Sequence, residues 1–280
     1  CSSDLTSLAN DNGFGILNPE QLVDYMRDAV VNAGFDPDDP ANGDLYVPYS
    51  LLEKPMTNWM RAVTKYGNIN NYELSVTGGS EKTRHYTSAL YSDTEGVFPE
   101  ISFTKYQLRS NIDHEISPNL KMGVKMNALR SEAHDLEMQD LYYSNPLFAG
   151  QLIKPWTPIY NEDGTYNLDV PANGNTNPIA SADYGDQWEI QNRLYAMTYV
   201  EWEPLPGLKL KTNNGAEYTD AEGVRYWAAE ARTDNTSKVQ NTSNMYMQLS
   251  TSNTISYNKY INNHNFSVLG GFEAIDNRYN

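Results

Sequence analysis

The 280 residues contain a single cysteine, Cys1, so no internal disulfide can form. No apolar run approaches the ~20 residues that a membrane helix needs, which excludes a helical membrane protein. Basic residues are scarce: 20 Lys and Arg stand against 36 Asp and Glu, a net charge of −16. That balance argues against nucleic acid as a partner, because phosphates are met by Lys and Arg. Its plain reading is the solubility of long exposed loops. Catalytic signatures are missing too: there is no G-x-S-x-G elbow and no P-loop. His85, His114, His134 and His264 are scattered, without the spacing of a zinc site. Carboxylates such as Glu217 and Glu222 flank a loop, but a glycosidase dyad is defined by a distance, not by sequence. We therefore expect neither an enzyme nor a protein with a metal or cofactor.

What is present is alternation. Between residues 71 and 129, short stretches of alternating polar and apolar residues are joined by a tight turn, a longer loop and another tight turn. Lys105, Gln107, Arg109, Asn111 and Asp113 alternate with Tyr106, Leu108, Ser110 and Ile112. Leu120, Met122, Val124, Met126 and Ala128 share one face of the next run, with Lys121, Lys125 and Asn127 on the other. Period-two patterning predicts strands with one oily and one polar face. Tyrosine is abundant, 21 against 7 Phe. It suits an interface that is oily at one end and wet at the other, although it is also ordinary strand chemistry.

Strands are expected near 71–77, 84–92, 103–114, 119–130, 190–203, 207–218, 244–257 and 264–274. The connections between them alternate. Gly78–Thr83, Glu115–Pro118, Pro204–Pro206 and Asn258–Asn263 are short, while 93–102, 131–189 and 219–243 are long. A soluble sandwich has no reason to gather its long loops at one end. An outer-membrane barrel does, with short turns toward the periplasm and long loops outside. The expected fold is all-β: an antiparallel up-and-down transmembrane β-barrel, here about eight strands of a larger one, with long extracellular loops and a short helix near the N-terminus. On the oily face of its strands we place Leu194, Ala196, Val200 and Trp202, then Leu208 and Leu210, then Phe266, Val268 and Phe272.

Residues 6–57 do not alternate and read as an extracellular loop region. Asn18-Pro19-Glu20 is a helix start, with Leu22, Tyr25, Met26, Ala29 and Val30 at helical spacing and Gly34 as the stop. Asp36, Asp38, Asp39 and Asp44 follow; closely spaced carboxylates can hold calcium, but the ligand order of an EF-hand is missing and a solvated turn is the stronger reading. Residues 1–5, Cys1-Ser2-Ser3-Asp4-Leu5, look like the translation of a sequencing adapter. We expect a non-native leader there rather than a lipidated cysteine, on a chain that starts mid-gene. Residues 58–280 are then expected to be barrel.

One stretch is specific. Asn58-Trp59, the strand and turn from Tyr72 to Thr83 (YELSVTGGSEKT), and the strand end from Tyr91 to Gly96 together resemble the early barrel of SusC/RagA-type TonB-dependent transporters of Bacteroidota. The hairpin FTKYQLRSNIDHEISPNLKMGVKMN is similar to the family's next one, and HNFSVLGGFEA at 264–274 resembles a later strand. The resemblance implies a barrel of about 22 strands with an N-terminal plug. It implies uptake of oligosaccharides, or of peptides, driven through the TonB complex, in the outer membrane of a Gram-negative bacterium. A SusD-like lipoprotein would sit over the barrel as a lid. TonB box and plug are expected upstream of residue 1.

Sugars stack on aromatic faces, so binding is sought in the long loops. Loop 131–189 holds Tyr142, Tyr143, Phe148, Trp156, Tyr160, Tyr166, Tyr184 and Trp188, and loop 219–243 holds Tyr226 and Trp227. Trp156, Tyr160, Tyr184, Trp188, Tyr226 and Trp227 are the candidate substrate contacts. The competing reading is that these rings pack the loop on itself. Two rivals share the strand pattern: a soluble, secreted glycan-binding β-protein, and a passive outer-membrane porin.

Overall fold

A computed structural model describes residues 17–98, 100–135, 145–231 and 236–280. The expected leader at 1–5, and Tyr142 and Tyr143, lie outside the described residues.

Eight strands follow one another: β1 (Ile69–Gly79), β2 (Thr83–Glu95), β3 (Ser102–Ser117), β4 (Leu120–His134), β5 (Asp186–Leu205), β6 (Leu208–Trp227), β7 (Lys238–Ile261) and β8 (His264–Tyr279). They form one antiparallel sheet in sequence order. All eight expected strands are present, and several are far longer than expected. β5 and β6 have 20 residues and β7 has 24, whereas ~9–11 suffice to cross a bilayer. The long connections shrink accordingly to 96–101, 135–185 and 228–237. The cause is physical. Where strands run on past the bilayer both faces are wet, so the period-two signal fades while backbone pairing persists.

The register separates the two faces. Leu74, Ala89, Leu108, Ala128, Leu194 and Tyr218 pair in one continuous row across β1 to β6. Trp202, Leu210 and Ile255 pair in another row on that same face. The opposite face is polar and internally bonded. The Gln107 side-chain amide donates to Asn127 Oδ1 at 2.8 Å, and the Tyr199 hydroxyl to Asp113 at 2.7 Å. Arg193 and Glu217 approach to 3.8 Å. In a soluble sandwich the apolar face would be covered. Here it is bare: Leu74 is 72% exposed, Val268 67% and Phe272 65%. Only lipid covers such a face, and polar residues then line the barrel interior.

Two short turns show how the meander reverses. The 206–207 turn uses Gly207 at φ 85, and the 262–263 turn uses Asn262 at φ 55, a left-handed value that asparagine tolerates. β1 and β8 are not paired with each other, so the sheet is open at both edges. Bare backbone at an edge is untenable in hydrocarbon. This sheet is therefore part of a larger closed barrel.

Off the sheet lies helix α1 (Pro19–Asn32), started by a capping box between Asn18 and Gln21. Its buried face carries Val23 and Val30, with Met26 beside them; of the expected stripe Met26 and Val30 are on this face, whereas Tyr25 is exposed and Val23 lies outside the stripe. The shift arises because the returning segment lays Leu45, Val47, Leu51 and Leu52 across that side. The aspartates after the helix are structural. Asp38 forms a two-pronged pair with Arg27 (2.7 and 2.6 Å), Asp39 caps a 3-10 turn at Pro40–Leu45, and the Asp36 side chain accepts from the Asp38 backbone.

Candidate functional site

Residues 145–185 of the long connection between β4 and β5, at the long-loop end of the sheet, are folded rather than slack. α2 (Trp59–Ala62) and α3 (Pro146–Leu152) bring Trp59, Val63, Ala149, Ile153 and Val170 into one buried cluster. The indole N–H of Trp59 donates to the Thr157 carbonyl at 3.0 Å. Three asparagines do the work of a missing sheet. Asn167 Nδ2 donates to Pro158 O; Asn177 Nδ2 donates to Ile159 O and Asn167 O; Asn173 Nδ2 donates to Thr176 O. Asn177 also caps α4 (Pro178–Tyr184) through its side-chain oxygen. Backbone groups that no strand satisfies are satisfied by buried amides.

On this frame stands a small aromatic platform. The tight turn around Asp163 and Gly164 makes Tyr160 and Tyr166 cross-strand partners, with ring centroids 5.0 Å apart. Asp163 shapes the turn by accepting from the Thr165 hydroxyl and backbone N–H, which also hold its carboxyl below the usual range. Tyr184, at the end of α4, meets Tyr166 edge-on at 5.4 Å and 84°. The Tyr166 hydroxyl donates to Asp183. Partial burial and then that carboxylate push the Tyr166 hydroxyl well above its ordinary pKa, so it stays protonated. Tyr160 and Tyr184 keep 49% and 43% of their surface exposed. The platform offers ring faces for stacking and a carboxylate for hydrogen bonds or a cation.

The structure thus brings two candidates, Tyr160 and Tyr184, together through a third ring, and separates the rest. Trp156 packs against the α1 cluster, with the Lys154 ammonium 6.0 Å from its ring. Trp188, Tyr226 and Trp227 belong to β5 and β6, not to loops. Trp188 and Tyr226 share the outward face of the sheet by register. Trp227 takes the inward face, under the Lys238 ammonium at 4.3 Å. Tyr166 and Asp183 were not among the candidates, although a signal existed. Tyrosines flank the hairpin-turn sequence Asn161-Glu162-Asp163-Gly164-Thr165 on both sides.

No protein-family model matches the chain. Two curated proteins of Formosa agariphila, TonB-dependent receptor P3 and TonB-dependent receptor P26, are each 27% identical to it over 231 and 234 residues. Those matches cover 77% and 78% of this chain, which spans only 22% of either relative. Among solved structures, a RagAB peptide importer in an open-open state superposes with a TM-score of 0.69 at 19% identity, over 99% of this chain and 32% of that one. The RagAB peptide transporter gives 0.67 over 79% of this chain and 26% of that one. These neighbours carry the same strand meander, and the curated relatives are receptors rather than enzymes. The chain is thus similar in sequence to TonB-dependent receptors over more than three quarters of its length, and it shares the fold of part of the RagAB importers, a section of a Gram-negative outer-membrane barrel.

Proposed function

We propose that the chain serves as part of an importer that takes up an oligosaccharide or a peptide through the outer membrane, energised by TonB and working with a SusD-like lipoprotein. The likeness to TonB-dependent receptors supports the importer, and the observation that carries its substrate-binding part is the exposed Tyr160–Tyr166–Tyr184 platform with Asp183, held by a packed cap at the long-loop end. A sugar ring stacks on Tyr160 or Tyr184 while its hydroxyls donate to Asp183. A peptide presents an aromatic or cationic side chain to the same groups. The bare apolar face speaks against the soluble glycan-binding rival, and the likeness to TonB-dependent receptors disfavours a passive porin.

The test uses the full-length receptor in cells. Tyr160→Ala with Tyr184→Ala should lower uptake of the labelled substrate at least tenfold with unchanged receptor level, and loss of TonB should abolish it. Uptake that survives loss of TonB removes the importer reading. Unchanged uptake in the double variant removes the platform alone.

A further inference from the structure

We propose that the inward face of β2 to β5 binds the acidic groups of an anionic oligosaccharide on Lys105, Arg109 and Lys125. This names the substrate class of the importer and rests on that reading. The register sets the three cations on the polar face of the sheet. Lys105 lies between Ser92 and Ser131, Arg109 between Ser88 and Asn127, and Lys125 between Asn111 and Met197. From the Lys105 tier to the Lys125 tier, the inward positions of β2 to β5 hold no carboxylate. Ser88, Ser92 and Ser131 are small and buried, and Arg109 and Lys125 stand exposed above the sheet. Among the described residues, none of the three cations makes an ion pair. On the same face Lys121, Arg193, Lys209 and Lys211 each lie 3.4 to 3.9 Å from a glutamate.

Lys105 and Arg109 are about 14 Å apart along β3, and Lys125 is about 8 Å from Arg109 on the neighbouring strand. With strands tilted about 40°, the three stand roughly 13 to 29 Å above the short turn before Leu120, from mid-membrane to its outer edge. The nearest acids on this face are already engaged or lie a strand away. Asp113 faces Arg84 across the strand pair and accepts from the Tyr199 hydroxyl at 2.7 Å. Glu217 holds Arg193. Glu73 is on β1, beyond Leu90 in the tier between Lys105 and Arg109. Cations without a counter-charge repel one another, and the low-dielectric barrel wall strengthens their field, so an anion here is favoured. Rows of Arg and Lys line anion-selective pores for the same reason. The Arg109 guanidinium matches a carboxylate or sulfate two-pronged, and the lysines add point charges. Between the cations stand serine hydroxyls and amides, with Gln107 donating to Asn127, all suited to sugar hydroxyls. Tyr86, beside Asn111, and Tyr195, beside Asn127, offer ring faces. A peptide would meet only Leu90, Leu129 and Met197 as apolar partners in these tiers.

Calorimetric titration of the full-length receptor in detergent tests it with four probes of similar length: an oligogalacturonate, a sulfated carrageenan oligosaccharide, a neutral malto-oligosaccharide and an oligoglutamate peptide. At least one acidic saccharide should bind at least tenfold more tightly than the neutral one and than the peptide. That binding should weaken as salt rises from about 0.05 M to about 0.5 M. Arg109→Gln with Lys125→Gln should cut it at least tenfold, with thermal unfolding of the receptor unchanged. Should the double variant fail to fold, Arg109→Gln and Lys125→Gln singly carry the comparison, each lowering affinity at least threefold. Absence of binding by both acidic saccharides, equal or tighter binding of the neutral sugar or of the peptide, or unchanged affinity in the variants that fold would overturn the proposal. Binding is read without TonB, so its failure is distinct from failure of the importer reading.

Discussion

Replacing Met126 by arginine is the sharpest test of which sheet face meets lipid. Met126 sits in β4, paired with Ser110 and Ala196 on the apolar face. It lies six residues from Leu120, where β4 leaves its short turn. A strand rising about 3.4 Å per residue and tilted about 40° brings it roughly 16 Å from that turn, near the middle of a belt about 25 Å tall. A charge there is expected to cost about 2–4 kcal/mol. That lowers the folded-to-unfolded ratio by between about 30-fold and about 700-fold. Ser252→Arg is the control: it lies on the inward face of β7, paired with Glu273, and should change stability by about 0.5 kcal/mol or less. Guanidinium unfolding of the full receptor refolded into phospholipid vesicles, followed by tryptophan fluorescence, gives both values. Equal cost for the two variants, or a larger cost at Ser252, would refute the assignment of faces.

Three further outcomes follow from the cap. Trp59→Ala empties a side chain only 2% exposed and orphans the Thr157 carbonyl; a local loss of about 3–5 kcal/mol should appear as rapid protease cleavage within 145–185, with the barrel intact. Asn177→Ala removes the α4 cap and two buried donations; the loss, on the order of 3 kcal/mol, should show as faster amide exchange in α4 than in the strands. The third concerns pH. Hydrogen bonding to Arg27 holds the Asp38 carboxyl below its ordinary 3.8. A depressed acid contributes stability that is complete above 3.8 and lost as pH falls through its lower folded value. Protection of the α1 amides relative to their intrinsic exchange rates should therefore fall below about pH 4, and Arg27→Gln should flatten that dependence. Identical profiles for both proteins would remove the pair from any stabilising role.

Much of the barrel was legible because the physics of a lipid-facing strand is written at period two. Leu120 to Ala128 alternate with lysines and asparagine, and the structure keeps both sets on separate faces. Strand ends were not legible. Trp188, Tyr226 and Trp227 read as loop because past the bilayer nothing demands one oily face, yet the ladder continues through them. The helix start at Asn18 was local chemistry and held. Its buried face turned toward Val23 because a segment more than twenty residues away, around Val47, chose the side.

The sequence by itself determined the strand alternation, the order of short and long connections and the turn residues, since each depends on neighbours a few positions apart. The tertiary structure alone decided which aromatics meet. Tyr160, Tyr166 and Tyr184 converge while Trp156 goes to the α1 cluster. That choice belongs to buried asparagines such as Asn177, whose partners at Ile159 and Asn167 lie 18 and 10 residues away. Contacts over such distances are set by packing and by hydrogen bonds that must be satisfied, and no local pattern encodes them.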